Sequence, residues 1–435
     1  MTTDCLRVFT SNKVLLPGNE DGVPATIVVN IASGKIVEIR QQRSVRSDFP
    51  GIPDQCWIDS GDKWLLPGLV DSHVHLNEPG RTDWEGFWTG TRAAASGGIT
   101  TVVDMPLNSL PPTTTRENLK TKKSAARGQC WTDVALWGGL VPGNENELEG
   151  MCSDGVKGFK CFLIDSGVEE FPCVSHNDVL KAMKKLENLP SVILFHAELE
   201  LENNSTKSND SSPQSYDTFL QSRPEEFEVD AIKLIVSLQE KYPSIRCHIV
   251  HLSAASALPI IRKARESGAK LTVETCFHYL VLSSSLIPDS APQFKCCPPI
   301  RDSRNRDKLW EALLDGTIDC VVSDHSPCLS LLWNEGKKRG VSVGRLVRWV
   351  SERTAKIASI DDRKGSLTVG KDADIIIWDD NAEFKVTANK LLYKNKITPY
   401  EGMSLIGQVE KTFLRGKLIW NFIFNQFEEP HGELI

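Results

Sequence analysis

The sequence contains no apolar run of the ~18 residues a membrane span needs, so a spanning protein is not expected. Its start, Met1-Thr2-Thr3-Asp4-Cys5, lacks a basic segment leading into an apolar core, so no secretory signal is expected. It has no surplus of positive charge. The formal net charge of -7 argues against a nucleic-acid partner, which calls for a basic stripe. No Cys-x-x-Cys pair occurs among the 12 cysteines, and Cys296-Cys297 stand side by side, which excludes a zinc knuckle. Scattered cysteines in a long chain point to reduced thiols in an intracellular protein, with the cytoplasm expected and peroxisome or mitochondrion as alternatives. No Gly-x-Gly-x-x-Gly turn follows any strand-like run, which removes the usual dinucleotide fold.

What is present is a change of texture along the chain. Residues 1–66 read as short β-strands, with Ala32-Ser33-Gly34-Lys35 as a turn. Residues 365–435 return to that texture, with Arg415-Gly416 at a hairpin turn. Both ends are expected to build one small β-sandwich domain. Between them, residues 67–364 alternate apolar strand-like runs with helical patterns. The runs begin at Leu69, Gly98, Val134, Gly158, Val192, Cys247, Leu271 and Ile318. Strands apolar on both faces, alternating with helices, indicate a parallel sheet, and eight such units fit a (β/α)8 TIM barrel. Residues 201–223 are polar and read as a surface loop.

In such barrels the chemistry gathers at the C-terminal strand ends. His73-Val74-His75 closes the first strand. Alternate residues share a face, so the two imidazoles point one way, roughly 7 Å apart along the strand. Lys160, His196, His251 and Asp324 occupy the ends of the fourth, fifth, sixth and eighth strands. Four histidines and a carboxylate form a metal-ligand set. Lys160 sits among Phe159, Cys161 and Phe162, where burial disfavours the ammonium form. A neutral amine there can take up CO2 as a carbamate. His248 is read as packing, His278 and His325 as candidate neighbours of the ligands, and His176 and His431 as solvated.

These residues resemble the cyclic-amide hydrolases of the amidohydrolase superfamily. The resemblance rests on His73-Val74-His75-Leu76-Asn77-Glu78-Pro79-Gly80, Asp104-Met105-Pro106-Leu107-Asn108, Gly158-Phe159-Lys160, His196-Ala197-Glu198, His251-Leu252-Ser253 and Ser323-Asp324-His325-Ser326-Pro327-Cys328. It implies two divalent ions, zinc first and manganese, cobalt or iron as alternatives. His73, His75 and Asp324 would hold one and His196 and His251 the other, with carboxylated Lys160 between them. Asp324 would carry the proton. Asn108, Asn77 and Cys297 would contact substrate. Asn77 stands where carboxylate-binding relatives carry Arg, so the implied substrate is a neutral ureide, allantoin, opened to allantoate in purine breakdown. A hydantoinase or dihydropyrimidinase activity is the alternative of the same class. A homotetramer is also implied. Phe277 and Cys297 depart from the family pattern. So does the connection after Cys328, where a long glycine-containing loop is missing and Leu329 to Gly336 already read as the next helix. A catalytically weakened form or a non-enzymatic scaffold is the reading that follows from that loss.

Overall fold

The computed structural model describes residues 6–201, 212–324 and 329–435. The polar stretch around Asn204-Ser205-Thr206, His325 and the connection through Cys328 lie outside the described residues.

Eight parallel strands form the barrel: Leu69–Val74, Ile99–Asp104, Asp133–Leu136, Phe159–Phe162, Val192–His196, Arg246–Ile249, Leu271–Cys276 and Cys320–Val322. The first three are one hydrogen-bonded sheet and the remaining five belong to another. Two seams close the ring. Gly138–Gly139 prolongs the third strand past Trp137 and pairs with Phe159–Phe162. The Asp324 N–H donates to His73 O at 3.1 Å, joining the eighth strand to the first. Apolar β-branched runs suit strands buried on both faces, by helices outside and by the packed barrel interior inside, and the barrel strands are buried almost throughout.

Both chain ends enter a single nine-stranded sheet. Its joint is Ile375–Lys385 running antiparallel to Trp64–Pro67, with Ile375 opposite Pro67. Gly68 follows at once and leads into the barrel. A Cβ there would sit 2.2 Å from Thr100 Oγ1, so only glycine allows the two layers to approach. The sheet is strongly curled. Phe9 and Phe413 belong to strands three places apart, roughly 14 Å in a flat sheet. Their rings nevertheless meet edge to face at 4.9 Å. The expected sandwich is therefore one sheet folded back over a core of Phe9, Ile27, Leu65, Ile375 and Phe413. The Arg415-Gly416 turn lies between Ser404–Leu414 and Lys417–Asn421. The polar stretch differs from the expected loop at its far end, where Tyr216–Ser222 is helical, capped by the Ser215 side chain accepting from the Asp217 N–H.

A buried ion cluster ties the β-domain to the barrel floor. Lys364 Nζ lies 2.6 Å from Asp133, 2.7 Å from Asp374 and 3.0 Å from Asp372. Arg415 also pairs with Asp133. Burial works against the Lys364 ammonium, but the three carboxylates more than reverse it and raise its pKa. Lys364→Met is expected to leave those acids short of a cation and to cost about 3–5 kcal/mol of stability. A lowered urea midpoint at unchanged slope checks this.

Candidate metal centre

The metal-competent residues named from the sequence converge at the C-terminal mouth of the barrel. His73 Nε2 lies 3.0 Å and His75 Nε2 3.3 Å from the same atom, Asp324 Oδ1. His196 Nδ1 lies 3.0 Å from His251 Nε2. The His73 ring joins these two groups, with centroids 5.4 Å from both His75 and His251. His73, His251 and Asp324 place ligand atoms within 4.8 Å of one another. The imidazoles therefore form two sets, each aiming nitrogens at one region.

The backbone at this mouth is unusual. Asn77, Asn108, His251 and Asp324 all have positive φ, at 61°, 65°, 38° and 60°. Non-glycine residues seldom adopt this conformation, and where they do it tends to mark functional sites.

Lys160 is 1% exposed, and its Nζ has no hydrogen-bond partner. Burial lowers its pKa to about 8, against the opposing pull of Asp324 and Glu274. His196 and His251 are driven well below the ordinary histidine value, first by burial and then by the Lys160 charge. Burial also lowers His73, but Asp324 and Glu274 outweigh it and bring the pKa to about 9. Asp324 shows the converse. Burial pushes it up, but the His73 charge and the hydrogen bonds from His73 and His75 hold it well below the usual carboxylate range.

The remaining named residues divide between the mouth and the periphery. Asn77 is 5% exposed and its Oδ1 is buried without a partner. Arg81 ties the two asparagine loops together: its backbone N–H donates to Asn77 O and its Nη1 to Asn108 O. Cys297 is half-buried. His176 is exposed and His431 half-buried. Lys157, the other lysine near this strand, has Asp362 and Arg363 for neighbours instead of the histidines.

Two carboxylates escaped the sequence reading as site residues. Glu274, on the seventh strand, accepts from His73 Nδ1 at 2.5 Å and from His248 Nε2 at 3.0 Å. Glu198 accepts from His196 Nε2 at 2.6 Å and from Arg223 at 2.7 Å. Each holds the outer ring N–H, so that the lone pair of the deprotonated ring falls on the nitrogen facing the centre once a cation replaces the proton there. His248 is buried but is not mere packing, because it helps hold Glu274. The signals were present in the chain: Glu274 is a lone acid in an apolar strand, and Glu198 falls two residues after His196. Glu274→Gln is expected to weaken metal binding by about 10–100-fold. Competition with a coloured chelator measures it.

The donors fit divalent metal. They are imidazole nitrogens and a carboxylate, the outer nitrogens of His73 and His196 are held by acids, and one buried amine has no partner. Residues 64–419 match the model of the amidohydrolase family. The chain belongs to that family. Within it, the chain is 42% identical to the allantoinase of Saccharomyces cerevisiae, covering 99% of this chain and 98% of that one. It is also 42% identical to the allantoinase of Streptomyces avermitilis, covering 100% and 99%. Among solved structures, L-hydantoinase (dihydropyrimidinase) from Arthrobacter aurescens superimposes with a TM-score of 0.88 at 28% identity, covering 98% of this chain and 99% of that one. The yeast alignment runs over 455 positions against 435 residues here, so it holds at least 20 positions that this chain does not fill.

Proposed function

We propose that this chain hydrolyses the ring amide of allantoin to give allantoate. The observation that carries this is the convergence of His73, His75 and Asp324 beside His196 and His251, with the orphaned Lys160 amine among them. Full-length similarity to allantoinases from yeast and Streptomyces selects the substrate within the family.

In this reading His73, His75 and Asp324 would hold one divalent ion and His196 and His251 a second, and Lys160, as its carbamate, would add a further anionic ligand. Zinc suits an imidazole-rich set, as do manganese, cobalt and iron. Bound ions supply Lewis-acid polarisation of the ring carbonyl and lower the pKa of water. The chain supplies the rest. Asp324 is ionised, so one oxygen can take a proton from the attacking water. As the ring C–N bond breaks, that proton passes to the leaving nitrogen. Glu274 and Glu198 keep His73 and His196 from rotating. The free Asn77 Oδ1 accepts from a ring or ureido N–H, and Asn108 orients the other edge of the ring, with Cys297 at its side. A homotetramer belongs to the same reading, and exposed Trp84, Trp88, Phe422, Ile423 and Phe424 offer apolar surface for self-association. Among the described residues no helix is long and apolar enough to cross a membrane.

A second reading, a form with weakened substrate binding, has its own support. Only six residues separate Val322, the end of the eighth strand, from Leu329, the start of the next helix. Alignment to the relatives leaves positions unfilled in this chain, and the sequence pattern locates the loss after Cys328. A substrate panel of allantoin, hydantoin, dihydrouracil and dihydroorotate, with metal and bicarbonate supplied, separates the readings. Preferred turnover of allantoin supports the proposal. A preference for dihydrouracil overturns the substrate assignment. Turnover of allantoin with a KM far above that of the yeast enzyme selects the weakened form.

A further inference from the structure

A second group of donors lies beside the histidine centre and includes sulfur. Cys276 ends the seventh barrel strand, His278 falls in the short helix Phe277–Val281 that follows, and Asp324 lies two residues past the end of the eighth strand. The strands are paired with Cys276 opposite Val322, which brings Asp324 to the same rim. One ligand atom from each of the three lies within 4.8 Å of the others. Cys276 is fully buried, and His278 Nε2 is enclosed without a hydrogen-bond partner.

The two groups differ in chemistry. The histidine centre offers nitrogen and oxygen with no sulfur, which harder and borderline ions accept. A thiolate, an imidazole and a carboxylate favour softer ions such as cadmium or zinc. Asp324 belongs to both groups. His73 and His75 already face its Oδ1. An ion seated between Cys276 and His278 competes for the same carboxylate.

We propose that Cys276, His278 and Asp324 form a separate site for a thiophilic divalent ion, and that filling it stops hydrolysis by engaging Asp324. The inhibition rests on the role given to Asp324 above; the binding does not. The site takes surplus zinc or cadmium while the histidine centre keeps its own ions, and it makes the protein sensitive to metal excess.

Cadmium chloride added to the metal-replete protein tests both parts. Thiolate-to-cadmium absorption in the ultraviolet reports binding without reference to turnover, and allantoin hydrolysis reports the consequence. The expected result is one further cadmium per chain, with activity falling in step. Cys276→Ser is expected to raise the inhibitory concentration by at least about 10-fold and to lose that absorption. His278→Gln raises the inhibitory concentration likewise and keeps the test open should the serine variant fold poorly. Cys173→Ser, at an exposed cysteine, leaves both readouts unchanged. Inhibition equally strong in both site variants overturns the proposal. So does metal analysis showing that cadmium has replaced ions of the histidine centre. Cadmium absorption dependent on Cys276 without loss of turnover upholds the site and overturns its effect on Asp324.

Discussion

With Asp324 replaced by asparagine, turnover of allantoin is expected to fall by about 100- to 10,000-fold, the range a positioned proton carrier contributes. Asparagine keeps the shape and one carbonyl oxygen facing His73 and His75, but it cannot take a proton. The loss should therefore fall on kcat, with KM little changed. Two features make Asp324 the carrier. Its carboxylate is held ionised by His73 and His75 despite burial. It also stands at the mouth, with its side chain 18% exposed, whereas Glu274 and Glu198 are sealed behind the histidines. Steady-state kinetics with metal content measured on the same sample decides the point. Unchanged kcat with two ions bound would give the proton to another group.

The second large effect concerns Lys160. Lys160→Arg is expected to remove metal binding and activity together. Arginine keeps the positive charge and most of the length but cannot form a carbamate. A buried guanidinium beside His196 and His251 repels a cation where the carbamate would attract it. The loss should exceed the about 10–100-fold in metal affinity that partners of ligands typically supply. Carbamate formation joins the lysine nitrogen to CO2 with release of a proton. The unsubstituted protein should thus gain the mass of CO2 when bicarbonate and metal are present, and the arginine variant should not. Full metal content in Lys160→Arg would remove the lysine from the centre.

The parts legible in the chain were those governed by short-range pattern. His73 and His75 read as a pair because strand residues two apart share a face, and the structure points both at one Asp324 oxygen. Buried parallel strands advertised themselves as apolar runs, and the barrel followed from their number. Contacts that depend on how distant strands meet did not show. Glu274 serves His73, about two hundred positions earlier, and no local spacing announces that. His248 reads as packing because it stands three residues before His251 and so faces the other way along a strand, but it meets Glu274 on the neighbouring strand. The curl that brings Phe9 onto Phe413 is likewise a property of the whole sheet. The Tyr216–Ser222 helix hid in a polar stretch because only Tyr216 of its seven residues is fully buried, too little for an apolar period to show.

The most direct measurement is allantoin turnover followed as metal is titrated into metal-free protein in the presence of bicarbonate, with bound ions counted at each point. The account predicts that activity rises with occupancy and levels off at two ions per chain, and that hydrolysis releases allantoate. Full turnover with no ion bound, or no turnover once two ions are bound at the histidine centre, would contradict it.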